Sequence, residues 1–141
     1  MTSIYLASRF SRKPQMQAHA ADLAQDGIVV TSRWMRADYR WNGVPEDAIN
    51  EYELALCAMD DLDDIAAADV LVCFTEHPSA GHTSGGRHVE AGYALGLGKP
   101  ILVVGPRENI FYGLPGVAQV PDWDTARAWL RDYAESMGER T

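Results

Sequence analysis

The chain has 141 residues, of which 47% are hydrophobic and 23% are charged. This balance suits one compact domain with a buried core, so we expect a single domain over residues 1–141. The net charge of −8 disfavours a nucleic-acid partner, because binding to a phosphate backbone needs a basic surface. No apolar run approaches the roughly 20 residues of a membrane span, and no basic leader precedes the first strand pattern. We therefore expect a cytoplasmic protein without a membrane partner.

Strand and helix patterns alternate along the whole chain. Short apolar runs predict strands at 4–7, 28–31, 69–74, 101–104 and 117–120. Helical periodicity predicts helices at about 15–25, 45–67, 87–97 and 122–137. Alternation of this kind indicates right-handed crossovers and an α/β fold with a doubly wound sheet of five parallel strands.

The ligand site of such a sheet is expected outside the carboxyl ends of its strands. Four predicted loops lie at that edge: 8–14, 31–45, 75–86 and 105–116. The first loop carries a small basic cluster, which is by default solvated charge: Arg9, Arg12 and Lys13.

Several aromatic and sulfur-containing residues admit a purely structural interpretation. The second loop carries three aromatic residues: Trp34, Tyr39 and Trp41. They either cover the edge of the core or stack on a flat base. Cys57 and Cys73 follow apolar patterns, so we expect buried free thiols rather than a disulfide.

Glu90 lies near the predicted start of the third helix, after the segment Ser84-Gly85-Gly86. One interpretation is a first-turn acid that the helix dipole favours. A capping box is excluded, because the third residue after Ser84 is Arg87. The alternative is a nucleophile that the N–H groups of the helix keep ionised. The two glycines would let a ligand approach the backbone, and with Thr83 and Ser84 they resemble an anion-binding turn.

Three histidines crowd the third loop and the start of the next helix: His77, His82 and His88. They lack the close pairing on a helix that a metal site of this kind favours, and no CxxC pair accompanies them. We therefore expect neither a metal nor a cofactor.

Four acids stand together at the end of the second predicted helix: Asp60, Asp61, Asp63 and Asp64. The default interpretation is a solvated acidic face. Acids near a helix carboxyl end oppose the dipole, however, so at least one is expected to have another role.

Three segments carry a family resemblance: IYLASRFSR, DLDDIAAADVLVCF and SGGRHVEAGYALGLGKPILVVG. Together they resemble the nucleoside 2-deoxyribosyltransferase superfamily, which includes the related nucleoside 5′-monophosphate N-glycosidases. The resemblance spans about residues 4–110. It implies a flavodoxin-like fold and an enzyme that cleaves the N-glycosidic bond of nucleosides or their 5′-monophosphates through a glycosyl-enzyme intermediate.

The resemblance also implies roles for particular residues. Glu90 matches the family's nucleophile at the anomeric carbon of the sugar. Asp61 matches the aspartate that contacts the base or helps to protonate it, and Tyr5 matches the tyrosine that orients the nucleophile. Asn109 and Phe111 resemble positions that reach into a neighbouring subunit's pocket, which implies a homo-oligomer.

One position departs from the transferases that act on free nucleosides. Six residues before the nucleophile those enzymes carry an aspartate that holds the sugar hydroxyl, whereas this chain has Ser84. Serine there resembles the 5′-monophosphate N-glycosidases, because a hydroxyl attracts a phosphate that a carboxylate would repel. Further substrate-binding groups are expected from Gly85, Gly86, Ser8, Arg9, Arg87 and His88.

The expected function is therefore release of a free base from (2′-deoxy)nucleoside 5′-monophosphates. A nucleoside 2-deoxyribosyltransferase is the alternative enzyme, since a second base instead of water would then accept the sugar. A nucleotide-binding sensor without catalysis is the alternative from another class, because a fold does not establish an activity.

Overall fold

A computed structural model describes residues 1–40, 44–81 and 84–139. The described residues form five strands: β1 Ser3–Ala7, β2 Val29–Val30, β3 Val70–Phe74, β4 Ile101–Val104 and β5 Val117–Val120. They also form four α-helices: α1 Lys13–Gln25, α2 Glu51–Ala67, α3 Gly86–Gly96 and α4 Trp123–Glu139. None of these helices has the length and apolar character that a membrane span needs.

The five strands are parallel and form one sheet in the order β2-β1-β3-β4-β5. This is the flavodoxin-like strand order, so the predicted fold class is confirmed. At the carboxyl edge, Ala7 pairs with Cys73, and Phe74 pairs with Val104. The loops that follow these strands therefore meet at one edge of the sheet.

The two faces of the sheet bury different sets of side chains, because successive residues of a strand point to opposite faces. Ile4 and Leu6 pack in the core cluster that α1 and α4 cover. Tyr5 and Ala7 pack in the cluster that α2 and α3 cover. Tyr5 is thereby placed beneath the two helices that carry the acids Asp61 and Glu90.

Several element bounds differ from the prediction, most clearly those of α2, β2 and α1. Helix α2 begins at Glu51 rather than near residue 45, because Asn50 caps it by accepting a hydrogen bond from the backbone N–H of Glu53 at 2.8 Å. Strand β2 is limited to Val29–Val30 at the edge of the sheet. Helix α1 begins at Lys13, with Pro14 in its first turn, where a missing N–H costs nothing.

The two cysteines are free thiols, as predicted, but only one is buried. Cys73 lies in β3 and is inaccessible to solvent. Cys57 is half-buried on α2, so its predicted burial is wrong. Its thiol lines the cavity at the carboxyl edge of the sheet.

Candidate active site

A cavity of about 570 Å³ opens at the carboxyl edge of the sheet. Its wall comes from the β1–α1 loop, the β2–α2 connection, helix α2 and the start of α3. The lining residues are Ser8, Arg9, Phe10, Lys13, Trp34, Tyr39, Arg40, Val44, Pro45, Ile49, Cys57, Asp61, Ser84, Gly85, Gly86, Arg87 and Glu90. Three of the four predicted edge loops thus contribute, whereas no residue of 105–116 lines the cavity.

Glu90 is held in this cavity by Tyr5. The Tyr5 hydroxyl, fully buried in the middle of β1, donates a hydrogen bond to Oε2 of Glu90. Helix α3 begins at Gly86, so Glu90 lies in its second turn, and the first turn contains no acid. The interpretation of Glu90 as a first-turn acid is therefore wrong, because the helix begins too early for it.

The protonation of Glu90 is governed mainly by its burial. Burial raises the pKa of the carboxyl group to about 8, the Tyr5 hydrogen bond opposes this rise, and the charge of Asp61 adds to it. Burial thus opposes the ionisation that the N–H groups of the helix were expected to favour. The pKa of Tyr5 is also raised well above its ordinary value, first by burial and then by the charge of Glu90, so Tyr5 remains a hydrogen-bond donor.

Asp61 faces the same cavity from helix α2. Its Oδ1 is buried and has no hydrogen-bond partner among the residues that the structure describes. The pKa of Asp61 is raised to about 7, mainly by burial and then by the charges of Asp64 and Asp60, while Arg33 opposes this rise. Because Asp61 and Glu90 also interact, the two carboxyl groups titrate as a pair.

The neighbours of Asp61 on α2 are anchored to the connection that follows β2. Asp60 accepts hydrogen bonds from the Tyr39 hydroxyl and from Nη2 of Arg40, both at 2.8 Å. Asp64 accepts a hydrogen bond from Nε of Arg33 at 2.9 Å. The predicted solvated acidic face is wrong for Asp60 and Asp64, which are only 9% and 7% exposed.

The turn before α3 brings backbone groups to the cavity. Gly85 is the N-terminal cap of the helix and has φ of 78°, a left-handed conformation that favours glycine. Ser84 and Gly86 flank it on the cavity wall, and Ser84 is exposed. The first N–H groups of a helix lack acceptors within the helix, so this turn can bind an anion.

The β1–α1 loop brings two more of the predicted residues to the cavity. Ser8 and Arg9 both line the cavity, as does Lys13. Arg9 donates from Nη1 to the carbonyl of Ala80 at 3.3 Å, which ties the loop to the one that follows β3. Positive charge from Arg9 and Lys13 thus borders the same cavity as the Ser84 turn.

Arg87 and His88 are placed differently from one another. Arg87 lines the cavity but is only 3% exposed, and its Nη2 donates to both carboxylate oxygens of Glu108, at 2.9 and 2.7 Å. His88 does not line the cavity, and its Nδ1 lies 2.6 Å from the Tyr112 hydroxyl. The structure brings the first of these two predicted residues to the site and leaves the second outside it.

Asn109 and Phe111 also lie outside the cavity. The Oδ1 atom of Asn109 accepts a hydrogen bond from the backbone N–H of Phe111 at 3.0 Å, at the start of the turn Ile110–Gly113. The Phe111 side chain is 60% exposed and that of Ile110 is 83% exposed. The structure therefore does not join these two residues to the cavity of their own chain.

Aromatic surfaces form part of the cavity wall. Trp34 donates from Nε1 to the carbonyl of Leu6 at 2.9 Å, and its ring lies 6.2 Å from that of Phe10. Two aromatic residues of the predicted second loop, Trp34 and Tyr39, line the cavity, whereas the third, Trp41, lies outside the described residues. These rings offer the flat apolar faces on which a base stacks.

Sequence reasoning missed Arg40 and Cys57. Cys57 precedes Asp61 by four residues on α2, so the helical period places both on one face, and this signal was present. No pattern marks Arg40, whose position depends on Asp60 in a distant helix. No group of three His, Cys, Asp or Glu residues in the described ranges is arranged to hold a metal ion, and His82 lies outside those ranges.

A flavodoxin-like sheet with a cavity at its carboxyl edge defines an α/β protein with a small-molecule site. No protein-family model matches the chain, and no curated protein matches it significantly. Solved structures, however, share its fold.

A CMP N-glycosidase from Clostridium botulinum is similar over 92% of this chain and 98% of that chain, with 19% identity and a TM-score of 0.57. A 2-deoxyribosyltransferase from Bacillus psychrosaccharolyticus is similar over 89% and 90%, with 23% identity and a TM-score of 0.62. A 2-deoxyribosyltransferase from Leishmania mexicana is similar over 84% and 77%, with 15% identity and a TM-score of 0.51. The resemblance found in the sequence thus extends to the fold.

Proposed function

We propose that the protein is an enzyme that cleaves the N-glycosidic bond of (2′-deoxy)nucleoside 5′-monophosphates and releases the free base. The observation that carries this proposal is the pair of carboxyl groups, Glu90 and Asp61, in one cavity with Tyr5 bonded to the first. The shared fold adds support, because one protein with this fold is a CMP N-glycosidase and others are 2-deoxyribosyltransferases.

The two carboxyl groups share one proton, and the reactive form is the singly protonated state with Glu90 ionised and Asp61 protonated. In the first step the carboxylate of Glu90 attacks C1′ of the sugar. A bond forms between its Oε1 or Oε2 atom and C1′ while the bond between C1′ and the base nitrogen breaks. The electron pair of that bond leaves with the base, and protonated Asp61 supplies a proton to it. A pKa near 7 suits an acid that must hold its proton at neutral pH and then release it.

In the second step water attacks C1′ of the glycosyl ester. The ionised Asp61 accepts a proton from this water, and Glu90 departs as a carboxylate. The products are the free base and the sugar 5-phosphate, and both carboxyl groups return to their starting state. This scheme is the two-carboxyl logic of retaining glycosidases applied to an N-glycosidic bond.

The 5′-phosphate is assigned to the turn at the start of α3. The Ser84 hydroxyl and the backbone N–H groups of the turn supply donors, and Arg9 and Lys13 supply positive charge on the neighbouring wall. Charge-assisted hydrogen bonds of this kind are about twice as strong as neutral ones. Binding of the phosphate would fix C1′ relative to Glu90.

Transfer of the deoxyribosyl group to a second base is the second candidate. The same covalent intermediate serves both reactions, and it is the acceptor that distinguishes them. The shared fold with two 2-deoxyribosyltransferases favours this candidate.

We further propose that the protein is a homo-oligomer in which Asn109 and Phe111 reach a neighbouring subunit's cavity. The exposed apolar side chains around them support this, namely Ile110, Phe111 and Leu114 at 83%, 60% and 45% exposed. Sedimentation of a fully active monomer at assay concentrations would contradict the proposal.

A chromatographic assay tests the function directly. Nucleosides and their 5′-monophosphates are incubated with the enzyme, with and without a second free base, beside the Glu90→Gln variant. Release of base from monophosphates without an acceptor supports the hydrolase, and exchange that needs the second base supports the transferase. Tight binding of a nucleotide without release or exchange of its base would support a nucleotide-binding sensor without catalysis.

A further inference from the structure

The segment that follows Met35 reaches the cavity with little buried surface of its own. Met35 is 4% exposed, and the next three residues, Arg36, Ala37 and Asp38, are all exposed. The chain then returns to the cavity, which Tyr39 and Arg40 line. A segment with so few apolar contacts depends on polar contacts for its position.

Two of those contacts meet at one buried carboxylate, and Tyr39 also forms a side-chain hydrogen bond with Cys57. Oδ2 of Asp60 accepts hydrogen bonds from both the Tyr39 hydroxyl and Nη2 of Arg40, each at 2.8 Å. Oδ1 of Asp60 lies 3.5 Å from Nη2 of Arg33. This ion pair also joins the β2–α2 connection to α2, at a point of the connection that is nearer to β2. Asp60 is 9% exposed, so little water competes for these bonds.

We propose that Asp60 is a positioning residue that fixes Tyr39 and Arg40 as a wall of the cavity. The effect on substrate affinity that follows from this role rests on the function proposed above. Asp60 itself does not line the cavity, whereas Asp61, the next residue, does. One turn of α2 thus carries both Asp61, which is proposed to contact the substrate, and Asp60, which holds Tyr39 and Arg40 in the cavity wall.

The position of this wall indicates which part of the substrate it affects. Tyr39 and Arg40 stand beside Cys57 and Asp61 on the cavity, and Asp61 is the proposed proton donor to the base. The phosphate is assigned to loops that follow β1 and β3 instead. Loss of the wall should therefore weaken binding of monophosphates and nucleosides by the same factor.

The test compares Asp60→Asn with Asp63→Asn. The two substitutions remove the same charge from the same helix, but Asp63 is exposed and does not line the cavity. We expect Asp60→Asn to raise KM at least tenfold, equally for a monophosphate and its nucleoside, and Asp63→Asn to leave KM unchanged. Any fall of kcat in Asp60→Asn should also be equal for the two substrates, because the charge of Asp60 raises the pKa of Asp61. An unchanged KM, or a rise of KM for the monophosphate alone, would overturn the proposal.

Hydrogen exchange measures the position of the segment independently of turnover. The backbone N–H groups of Arg36 and Tyr39 donate to Arg33 and Arg36 carbonyls, at 3.0 and 3.2 Å, so their exchange reports whether the segment is in place. We expect at least tenfold faster exchange over residues 36–40 in Asp60→Asn and no acceleration of exchange in Asp63→Asn. Equal exchange in both variants overturns the proposal. If the wild-type enzyme cleaves nothing, the function fails and this measurement still decides the role of Asp60.

A milder variant covers the case in which Asp60→Asn does not fold. Tyr39→Phe removes one hydroxyl from the same carboxylate and leaves the ion pairs of Asp60 in place. We expect a smaller acceleration of exchange over 36–40 and a KM raised about threefold. Wild-type exchange in Tyr39→Phe would contradict the proposal. Where both variants fold, the double variant should raise KM by less than the product of the two single-variant factors, because both substitutions disrupt the same contact between Tyr39 and Asp60.

Discussion

Tyr5 and Glu90 lie 85 residues apart in the chain, yet the hydroxyl of the first donates a hydrogen bond to the carboxylate of the second. The bond joins the centre of the sheet to the second turn of α3. It lowers the pKa of Glu90, whereas burial and the charge of Asp61 raise it to about 8. This contact therefore extends toward lower pH the range in which Glu90 is ionised.

Removal of the Tyr5 hydroxyl should shift the pH dependence of the reaction. The reaction needs Glu90 ionised and Asp61 protonated, so kcat/KM is bell-shaped in pH, and its maximum falls when Glu90 becomes harder to ionise. In Tyr5→Phe the bond that lowers the pKa of Glu90 is lost, so the ionised fraction of Glu90 should decrease and the rate at pH 7 should fall about tenfold or more. The matched control is Tyr112→Phe, which removes a buried hydroxyl outside the cavity and should leave the profile in place. An unchanged profile in Tyr5→Phe would remove its orienting role.

Substitution of Asp61 should have two separable effects. Asp61→Asn cannot donate a proton, so we expect kcat to fall by roughly 10² to 10⁴. It also removes a negative charge that raises the pKa of Glu90, so the rise of kcat/KM with pH should move to lower pH. The loss should be smaller for a nucleotide whose base carries a quaternised ring nitrogen and leaves without a proton. A loss of thermal stability alone, with normal turnover, would assign Asp61 to structure.

The buried Glu90 should cost stability at alkaline pH. Its pKa is raised from 4.5 to about 8 on folding, so the folded state keeps a proton that the unfolded state loses between these values. The stabilisation from this proton is complete below pH 4.5 and is lost as pH rises through 8. Gln stays neutral throughout this range. The difference obtained by subtracting the wild-type Tm from the Tm of Glu90→Gln should therefore be about 5 °C or more larger at pH 9 than at pH 5. A constant difference across this range would show that Glu90 is not buried as an acid.

The fold was largely predictable from the sequence, because the strands are uniformly apolar. The runs 101–104 and 117–120 coincide with β4 and β5, since both end at glycine or proline turns. The start of α2 was misplaced, because the local signal of Pro45 competed with the cap at Asn50 and only the structure shows which one begins the helix.

The site was predictable only where a residue's role depends on its own segment. Glu90 and Ser84 follow from the turn before α3, and the structure places both on the cavity. The burial of Asp60 was not predictable, because its partner Arg40 lies 20 residues away in an irregular connection. A carboxylate's environment is fixed by such distant partners, which the periodicity of its own helix does not record.

The choice of substrate should depend on Ser84. An aspartate there would repel a 5′-phosphate, so Ser84→Asp should lower kcat/KM for monophosphates by about 10² or more and spare nucleosides, since each charge-assisted bond contributes roughly 1.5–3 kcal/mol. The control is Ser84→Asn, which has the same shape without the charge and should lose less. Equal losses for both substrate forms would contradict a phosphate site at this turn. A wild-type preference for the free nucleoside, with transfer of its sugar to a second base, would establish the transferase.

The central claim is that Glu90 forms the bond to C1′, and the turnover of Glu90→Gln tests it most directly. Gln keeps the size of the side chain and can accept the Tyr5 hydrogen bond, so the variant should fold, which circular dichroism will verify. An amide cannot attack C1′ as a carboxylate does, so we expect the rate of base release from the best monophosphate to fall by roughly 10³ or more. A folded Glu90→Gln enzyme that keeps its rate within tenfold of wild type would contradict the account.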